Sequence, residues 1–208
     1  MRDRLESGWN CVTKPTGIAT TVMPNEPVQT GLIGGVEKRD IKIVDYDPDW
    51  PTKFELHAKN IFEALGDAAT RVEHIGSTSV PGLGAKPIVD VLVVVEDSAN
   101  ESTYLPQLEA EGYVLRVREP EWNEHRMFRT VEKGIHIHIY SAGCKEIERN
   151  LTFRDRLRSK VDDRTRYEKT KRELASNDWS DMNAYADAKT EMIEDIIAAA
   201  QAADEISR

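Results

Sequence analysis

An acidic residue interrupts the most apolar run of the sequence. Asp90 lies in residues 87–95, a run that otherwise contains only aliphatic residues and one proline. A buried carboxylate is costly unless it is paired or binds a cation. We therefore interpret Asp90 as a metal ligand or a catalytic carboxylate that faces a cleft. The alternative is a structural carboxylate, neutralised by Lys86 or by backbone donors.

Two histidines follow at the spacing of a strand. His136 and His138 alternate with Ile137 and Ile139, and residues two apart on a strand face the same side of the sheet. With Asp90 they predict a metal or phosphate site, in which all three residues are metal ligands and Asp90 and His138 are catalytic. The alternative is a pair of histidines on a solvated sheet face, because the pattern is only moderately specific.

A glycine- and hydroxyl-rich segment precedes the apolar run. Gly76, Ser77 and Thr78 follow an expected strand. Such a turn presents free backbone N–H groups, which bind phosphate together with the hydroxyl donors beside them. Taken alone, the segment slightly favours the simpler interpretation, a tight turn shaped by glycine and proline.

Basic residues near these segments would neutralise a bound phosphate. We assign this role to Lys86, Arg129 and Arg154, since arginine is suited to bidentate phosphate contact. The spacing of Arg154 from Leu151 and Leu157 places it on the apolar side of an expected helix. The neighbouring arginines alternate with acidic residues, so most of them are expected on a solvated face.

Composition and charge limit the class of protein. The 208 residues are 39% hydrophobic and 31% charged, as in folded globular chains. A formal net charge of -9 argues against general nucleic-acid binding. No apolar run is long enough to span a membrane, and Asp3 and Glu6 stand where an export signal would have a basic start and an apolar stretch. Cys11 and Cys144 lie far apart, so no structural disulfide is expected and a cytoplasmic location is predicted.

The pattern of the chain predicts an arm followed by one domain. Residues 1–36 carry prolines and glycines without a hydrophobic period, so we interpret them as a flexible arm with one short extended stretch. The domain covers residues 37–204, with a strand-and-helix core to about residue 141 and a helical part over residues 145–204. The expected strands are 41–44, 71–75, 87–95, 113–118, 126–132 and 135–140. The expected helices are one between Asp49 and Gly66, one over 102–111, and three after residue 141, the last capped by Ser180 or Asp181.

Several ordered blocks of the sequence resemble the GrpB family. These blocks are Ile43–Trp50, His74–Leu83, Ala85–Val91 and Asn150–Arg158, with Tyr167, Lys171, Tyr185 and Lys189 further along. The resemblance covers about residues 40–200, and the arm lies outside it. It implies an α/β (α+β) fold of the nucleotidyltransferase type, which is a mixed sheet flanked by helices, with a C-terminal helical segment. A similar domain is also fused behind some dephospho-CoA kinases.

The resemblance also implies a pattern of acidic residues, from which this sequence departs. Nucleotidyltransferases of this fold hold a divalent metal with two acids one residue apart and a third acid on a neighbouring strand. Asp90 matches the second acid, but Ile88 stands at the first position. The strand expected to carry the third acid carries His136 and His138 instead. The expected cofactor is Mg²⁺ or Mn²⁺.

These observations lead to a principal hypothesis and two alternatives. The principal hypothesis is a protein that handles a nucleotide or another phosphate-bearing small molecule and transfers a nucleotidyl group. The first alternative is a non-catalytic binding or accessory module, which the isoleucine at position 88 favours. The second is a metal-dependent hydrolase that uses Asp90 and His138.

Overall fold

The computed structural model of this chain describes residues 29–35, 37, 40–179 and 182–206. In these ranges the chain forms a six-stranded mixed sheet flanked by helices, which confirms the expected fold class. The strands are β1 (Gly31–Leu32), β2 (Arg71–Ile75), β3 (Val89–Val95), β4 (Val114–Glu119), β5 (His125–Arg129) and β6 (Ile135–Ser141).

The α-helices of the described ranges are α1 (Trp50–Leu65), α2 (Leu105–Ala110), α3 (Lys145–Ser159), α4 (Val161–Ala175), α5 (Met182–Asp187) and α6 (Thr190–Ile206). Asp49 takes the expected N-cap position of α1, although its side chain forms no capping hydrogen bond. Pro51 lies in the first turn, where a missing backbone N–H breaks no helical hydrogen bond. Gly66 ends the helix with a φ of +52°, which glycine adopts readily.

The order of the strands brings the predicted site residues together. The order β1-β4-β5-β6-β3-β2 makes β3 and β6 neighbours inside the sheet. These two strands are parallel, whereas the other neighbouring pairs are antiparallel. Their register pairs Asp90 with His136 and Leu92 with His138. Because alternate side chains share a face, Asp90 and both histidines lie on the same side of the sheet.

The side chains of β3 and β6 alternate between two apolar clusters. On one face Val91 and Ile137 pack with residues of α1 and α2. On the other face Leu92 and Tyr140 pack with Ile147 and other residues of α3. This second face becomes polar only toward the starts of β3 and β6, where the predicted metal ligands lie.

The expected strand over residues 41–44 is wrong. Only Val44 pairs, in an isolated bridge in which Val44 and Ala85 exchange both backbone hydrogen bonds, each 2.9 Å long. Pro87 follows two residues after Ala85 and has no N–H with which to extend the ladder. The segment therefore reaches the sheet by one residue pair and does not form a strand.

The C-terminal part differs from the expectation in one helix. The third expected helix is divided into α5 and α6 at Ala188 and Lys189. The break places the Lys189 ammonium group 4.4 Å from the centre of the Tyr185 ring. The expected capping residues Ser180 and Asp181 lie outside the described residues.

Most of the predicted arm also lies outside the described residues. The part that is described includes the short strand β1, which pairs with β4. Arg116 holds the residues after β1, because its guanidinium group donates to the carbonyl groups of Ile33 and Gly35. No helix within the described ranges is both long and apolar enough to cross a membrane.

Candidate functional site: a metal-ligand cluster beside a cationic cavity

Three potential metal ligands converge at the starts of β3 and β6. Asp90, His136 and His138 each offer one ligand atom, and these atoms lie within 4.8 Å of one another. Asp90 Oδ1 is 3.7 Å from His136 Nδ1 and 3.6 Å from His138 Nε2. No other group of three His, Cys, Asp or Glu residues in the described part of the chain comes together in this way. We refer to these three residues as the ligand cluster.

The surroundings of Asp90 keep its carboxyl group ionised. Burial opposes ionisation, but His138, whose Nε2 lies 3.6 Å from Asp90 Oδ1, and the charges of His136 and Lys86 outweigh it and lower the pKa of Asp90 below its ordinary value. Lys86 contributes less than either histidine. Asp90 is therefore not simply a structural partner of Lys86, and its carboxylate is available to a cation at neutral pH.

The turn after β2 lies directly against this carboxylate. Gly76 has a φ of +68°, and a Cβ atom at this position would overlap Asp90 Oδ2. Only glycine combines this backbone conformation with the close approach. The glycine thus fixes the distance between the ligand cluster and the hydroxyl-bearing residues that follow it.

A second layer of polar residues orients His138. His138 Nδ1 lies 3.0 Å from His125 Nε2, and His125 Nδ1 lies 2.8 Å from Glu119 Oε2. The hydrogen bond from His125 lowers the pKa of Glu119, whereas burial lowers the pKa of His125. At neutral pH we therefore assign an ionised Glu119 and a neutral His125.

This assignment fixes which ring nitrogen of His138 contacts His125 as a donor. An ionised Glu119 only accepts hydrogen bonds, so His125 donates to it from Nδ1 and accepts at Nε2. His138 then donates from Nδ1, and its Nε2, which lies 3.6 Å from Asp90 Oδ1, is the nitrogen that a metal ion would bind together with the carboxylate. Metal-bound histidines commonly have such a second hydrogen bond.

A cavity of about 230 Å³ borders the ligand cluster and contains three lysines. Lys86 comes from the segment before β3, Lys171 from α4 and Lys189 from the break between α5 and α6. Lys171 Nζ donates to Ser77 Oγ at 3.0 Å and to the Gly84 carbonyl oxygen at 2.5 Å. Ser77 is therefore hydrogen-bonded to Lys171 and directly follows the glycine that lies against Asp90.

Two tyrosine rings support the lysines. Lys171 lies over the Tyr167 ring at 4.8 Å from its centre, and both Lys86 and Lys189 lie over the Tyr185 ring, at 5.0 and 4.4 Å. The quadrupole of an aromatic ring attracts a cation but leaves its net charge in place. The cavity therefore brings the three lysines close to the carboxylate of Asp90.

The cost of this arrangement is visible in the pKa values of the lysines. Burial, together with repulsion from Lys189, lowers the pKa of Lys171 to about 7. Burial and repulsion from Lys86 lower the pKa of Lys189 to about 8. A polyanion in the cavity would favour the charged forms of these lysines, because an opposite charge nearby raises the pKa of a lysine.

A second cavity, of about 540 Å³, also borders the ligand cluster. Its wall includes the apolar side chains of Val117, Trp122 and Met127, and it also contains His138. The two cavities are adjacent, because they share part of their lining. The residues that line both are Gly76, Lys86, Asp90, His136, Arg149, Asn150 and Lys189.

The structure brings most of the predicted site residues together but separates two of them. Thr78 and Arg154 lie outside the lining of both cavities. The Thr78 hydroxyl is buried 3.1 Å from His74 Nε2. Arg154 donates to Glu73 and Asp155 at 2.7 Å, so α3 is joined to β2 through this residue. The two residues that we expected at a phosphate therefore have structural partners instead.

Arg129 lies at the site but its charge is compensated. It lines the second cavity and forms a bidentate ion pair with Glu37, at 2.7 and 3.0 Å. Lys133 also donates to Glu37, at 2.7 Å. The cationic character of the cleft thus comes from Lys86, which the sequence predicted, and from Lys171 and Lys189 of the C-terminal helical part, which it did not.

The fold and the site together define a mixed α/β protein with a two-histidine, one-carboxylate cluster in a cationic cleft. This chain belongs to the GrpB family, because residues 40–199 match the family described as GrpB protein. The match confirms the resemblance seen in the ordered sequence blocks. It establishes the family and does not by itself assign a reaction.

Relatives support this assignment over most of the chain. A UPF0157 protein of Halalkalibacterium halodurans is 46% identical over 185 residues, which is 88% of this chain and 95% of that protein. The crystal structure of the conserved protein GrpB from Enterococcus faecalis is similar with a TM-score of 0.69 and 34% identity, over 76% of this chain and 96% of that chain. A dephospho-CoA kinase of Mycolicibacterium paratuberculosis is 26% identical over 181 residues, which is 74% of this chain and 44% of that protein.

Proposed function

We propose that this chain binds a nucleotide through its phosphates at a divalent metal site and transfers the nucleotidyl group to an acceptor. The observation that carries the proposal is the position of the ligand cluster in the wall of the lysine-lined cavity. Phosphoanhydride chemistry depends on positive charge placed where negative charge develops, which a metal ion and fixed lysines supply together.

The donor set of the cluster fits a transition-metal ion. Asp90 offers a carboxylate oxygen, and His136 and His138 each offer an imidazole nitrogen. Mg²⁺ prefers oxygen ligands in an octahedral arrangement, so two imidazoles favour Mn²⁺ or another transition-metal ion over Mg²⁺. A bound ion would supply Lewis-acid stabilisation of the phosphate oxygens.

The protein residues have separate roles in the proposed transfer. The Ser77 hydroxyl and the ammonium groups of Lys86, Lys171 and Lys189 bind and orient the phosphates. An acceptor oxygen attacks the α-phosphorus, and the bond from this phosphorus to the bridging oxygen breaks. Pyrophosphate leaves toward the lysines, and the proton of the acceptor hydroxyl passes to water.

A second candidate function is nucleotide binding without transfer. The observation in its favour is Ile88, which lines the lysine cavity where the family resemblance would place a further acid. One carboxylate in the cluster holds metal more weakly than the paired acids of a two-metal site would. A non-catalytic module of this kind would bind metal and nucleotide but form no product.

The first test is thermal unfolding of the purified chain with a nucleoside triphosphate, with and without Mn²⁺. A ligand that binds only the native state raises the free energy of unfolding by about 2.7 kcal/mol at a hundred times its Kd. For a chain of this length we expect a rise in Tm of about 5–10 °C. The rise should require both the nucleotide and the metal. Asp90→Asn weakens the metal site, so this variant should show little or no rise in Tm under the same conditions.

Reaction products then separate the candidates. Radiolabel at the α-phosphate that appears in an acceptor supports transfer, whereas labelled monophosphate indicates that water is the acceptor and the protein is a hydrolase. A thermal shift with neither product supports the binding module. No shift with any nucleotide and metal would contradict the proposed function.

A further inference from the structure

The second cavity differs from the lysine cavity in its chemistry. Much of its wall is apolar, and Trp122 remains 45% exposed at its border. An exposed tryptophan is unusual on a domain that buries Trp50 almost completely. Val117 and Met127 lie beside it in the same wall. The volume of about 540 Å³ lies in the range of cavities that hold small molecules.

Trp122 begins the turn that joins β4 to β5. Asn123 and Glu124, which follow it, have positive φ angles of +55° and +49°, and the His125 N–H donates to the Trp122 carbonyl oxygen at 3.1 Å. This is the geometry of a tight hairpin turn, whose twist matches that of the two strands. The Trp122 ring also makes edge contacts with His125 and Tyr140, at 5.2 and 6.3 Å between ring centres. The ring is thereby fixed beside the cavity rather than left free on the surface.

The tryptophan cavity and the lysine cavity meet at the ligand cluster. Asp90 and His136 line both cavities, and so does Lys189. A molecule lying across the cluster would therefore place one end among lysines and the other against the Trp122 wall. The cationic end suits phosphates, and the apolar end suits an uncharged ring, because an aromatic surface stacks on tryptophan and releases water from both.

We infer that the Trp122 cavity binds the aromatic ring of the ligand, so that the substrate class is a nucleoside triphosphate whose base stacks on Trp122. This inference rests on the proposed function, since the phosphates of the same molecule occupy the lysine cavity. Base–aromatic stacking tolerates different bases. Trp122 therefore distinguishes nucleotides from bare polyphosphates rather than one base from another.

The test compares two probes that share phosphates but differ in the ring. Titration calorimetry with Mn²⁺ measures the affinity of ATP and of inorganic tripolyphosphate for the wild-type chain and for Trp122→Ala. We expect Trp122→Ala to weaken ATP binding about tenfold, within the range measured for loss of one base–aromatic stack. Tripolyphosphate binding should not change. Phe62→Ala is the matched control, because Phe62 is an aromatic residue of α1 with nearly the same exposure, 44%, and α1 covers the opposite face of the sheet.

Lys171→Met and intrinsic fluorescence complete the experiment. Lys171→Met should weaken both probes, and ATP should quench a fluorescence component that Trp122→Phe removes. Equal effects of Trp122→Ala on both probes, or no effect on either while Lys171→Met weakens both, would overturn the ring assignment and leave the phosphate site standing. Absence of binding of both probes to the wild-type chain would instead overturn the proposed function itself.

Discussion

The two faces of the sheet differ in what their side chains do, although the same strands build both. On the face covered by α1 and α2, Val91 and Ile137 are completely buried in a continuous apolar core. On the other face, the positions next to them carry Asp90, His136 and His138 before the strands become apolar again. Alternation of the side chains thus allows one strand to stabilise the fold on one face and to bind a ligand on the other.

Substitutions at neighbouring positions of one strand should therefore have different consequences, one for folding and the other for ligand binding. A change on the apolar face acts on folding, because close-packed interiors do not accept charge or empty space. A change at the ligand cluster acts mainly on binding, because Asp90, His136 and His138 line a cavity and are not part of the closed apolar core.

The largest effect is expected from moving a carboxylate to the apolar face. Val91→Asp places a charge in a fully buried position, which costs about 4 kcal/mol or more of the free energy of unfolding. Urea unfolding followed by circular dichroism measures this. Val131→Asp is the control, because Val131 is 75% exposed and should change the free energy of unfolding by less than about 0.5 kcal/mol. Equal small effects at both positions would show that the face is not a closed core.

The next largest effect is expected on Mn²⁺ affinity when the neighbouring residue, Asp90, is replaced. Asp90→Val removes the carboxylate of the ligand cluster, so we expect Mn²⁺ affinity to fall at least about a hundredfold, more than for loss of an outer hydrogen-bond partner. The free energy of unfolding should fall by less than in Val91→Asp, because Asp90→Val removes a carboxylate that its neighbours stabilise but leaves no new charge in the apolar core. Calorimetry with Mn²⁺ and urea unfolding measure the two quantities. Unfolding of Asp90→Val, or undiminished Mn²⁺ binding, would contradict the division between the faces.

The sequence was sufficient to predict what depends on local pattern. The strand of the apolar run, expected over residues 87–95 and found at Val89–Val95, and the shared face of His136 and His138 follow from the period of a strand. Asp90 could be selected because a carboxylate in an apolar run needs a partner. The pairing of β3 with β6 in register then set the distances within the cluster, which no local pattern contains.

What the sequence did not predict depends on contacts between distant residues. Lys171 reaches Ser77 across 94 positions, and only the packing of α4 against the turn after β2 shows it. Arg129 looked available for phosphate because its counter-charge, Glu37, lies 92 positions away. His125 was missed for the same reason, since the register between β5 and β6 brings it to His138.

A smaller effect is expected from the hydrogen-bond chain behind the cluster. His125→Phe keeps most of the buried volume but removes the acceptor for His138 Nδ1, so His138 loses its fixed tautomer. We expect Mn²⁺ affinity to fall about 10- to 100-fold, as for other outer partners of metal-bound histidines. Calorimetry on His125→Phe measures this fall, and Glu119→Gln should show a weaker effect in the same direction. Unchanged Mn²⁺ affinity in His125→Phe would show that the chain does not position His138.

The smallest effect is expected on the pH dependence of the free energy of unfolding, to which the buried Lys171 contributes. Burial lowers the pKa of Lys171 to about 7 in the folded chain, whereas an unfolded lysine titrates near 10.4. Between these values the unfolded chain binds more protons, so the free energy of unfolding rises with pH, by at most about 1.4 kcal/mol per pH unit for one group. Below about pH 7 both states are protonated, and the cost of burying the charge is present in full.

Lys171→Met should remove this contribution while leaving the other titrating groups in place. The slope of the free energy of unfolding between about pH 7.5 and 8.5 should be smaller in the variant than in the wild-type chain, by about 1 kcal/mol per pH unit. Urea unfolding at the two pH values measures both slopes, and Lys169→Met serves as the control because the Lys169 side chain is 77% exposed. Equal slopes in Lys171→Met and the wild-type chain would mean that Lys171 stays protonated in the folded state. The lysine cavity would then carry its charge permanently, and anion binding there would not depend on pH in this range.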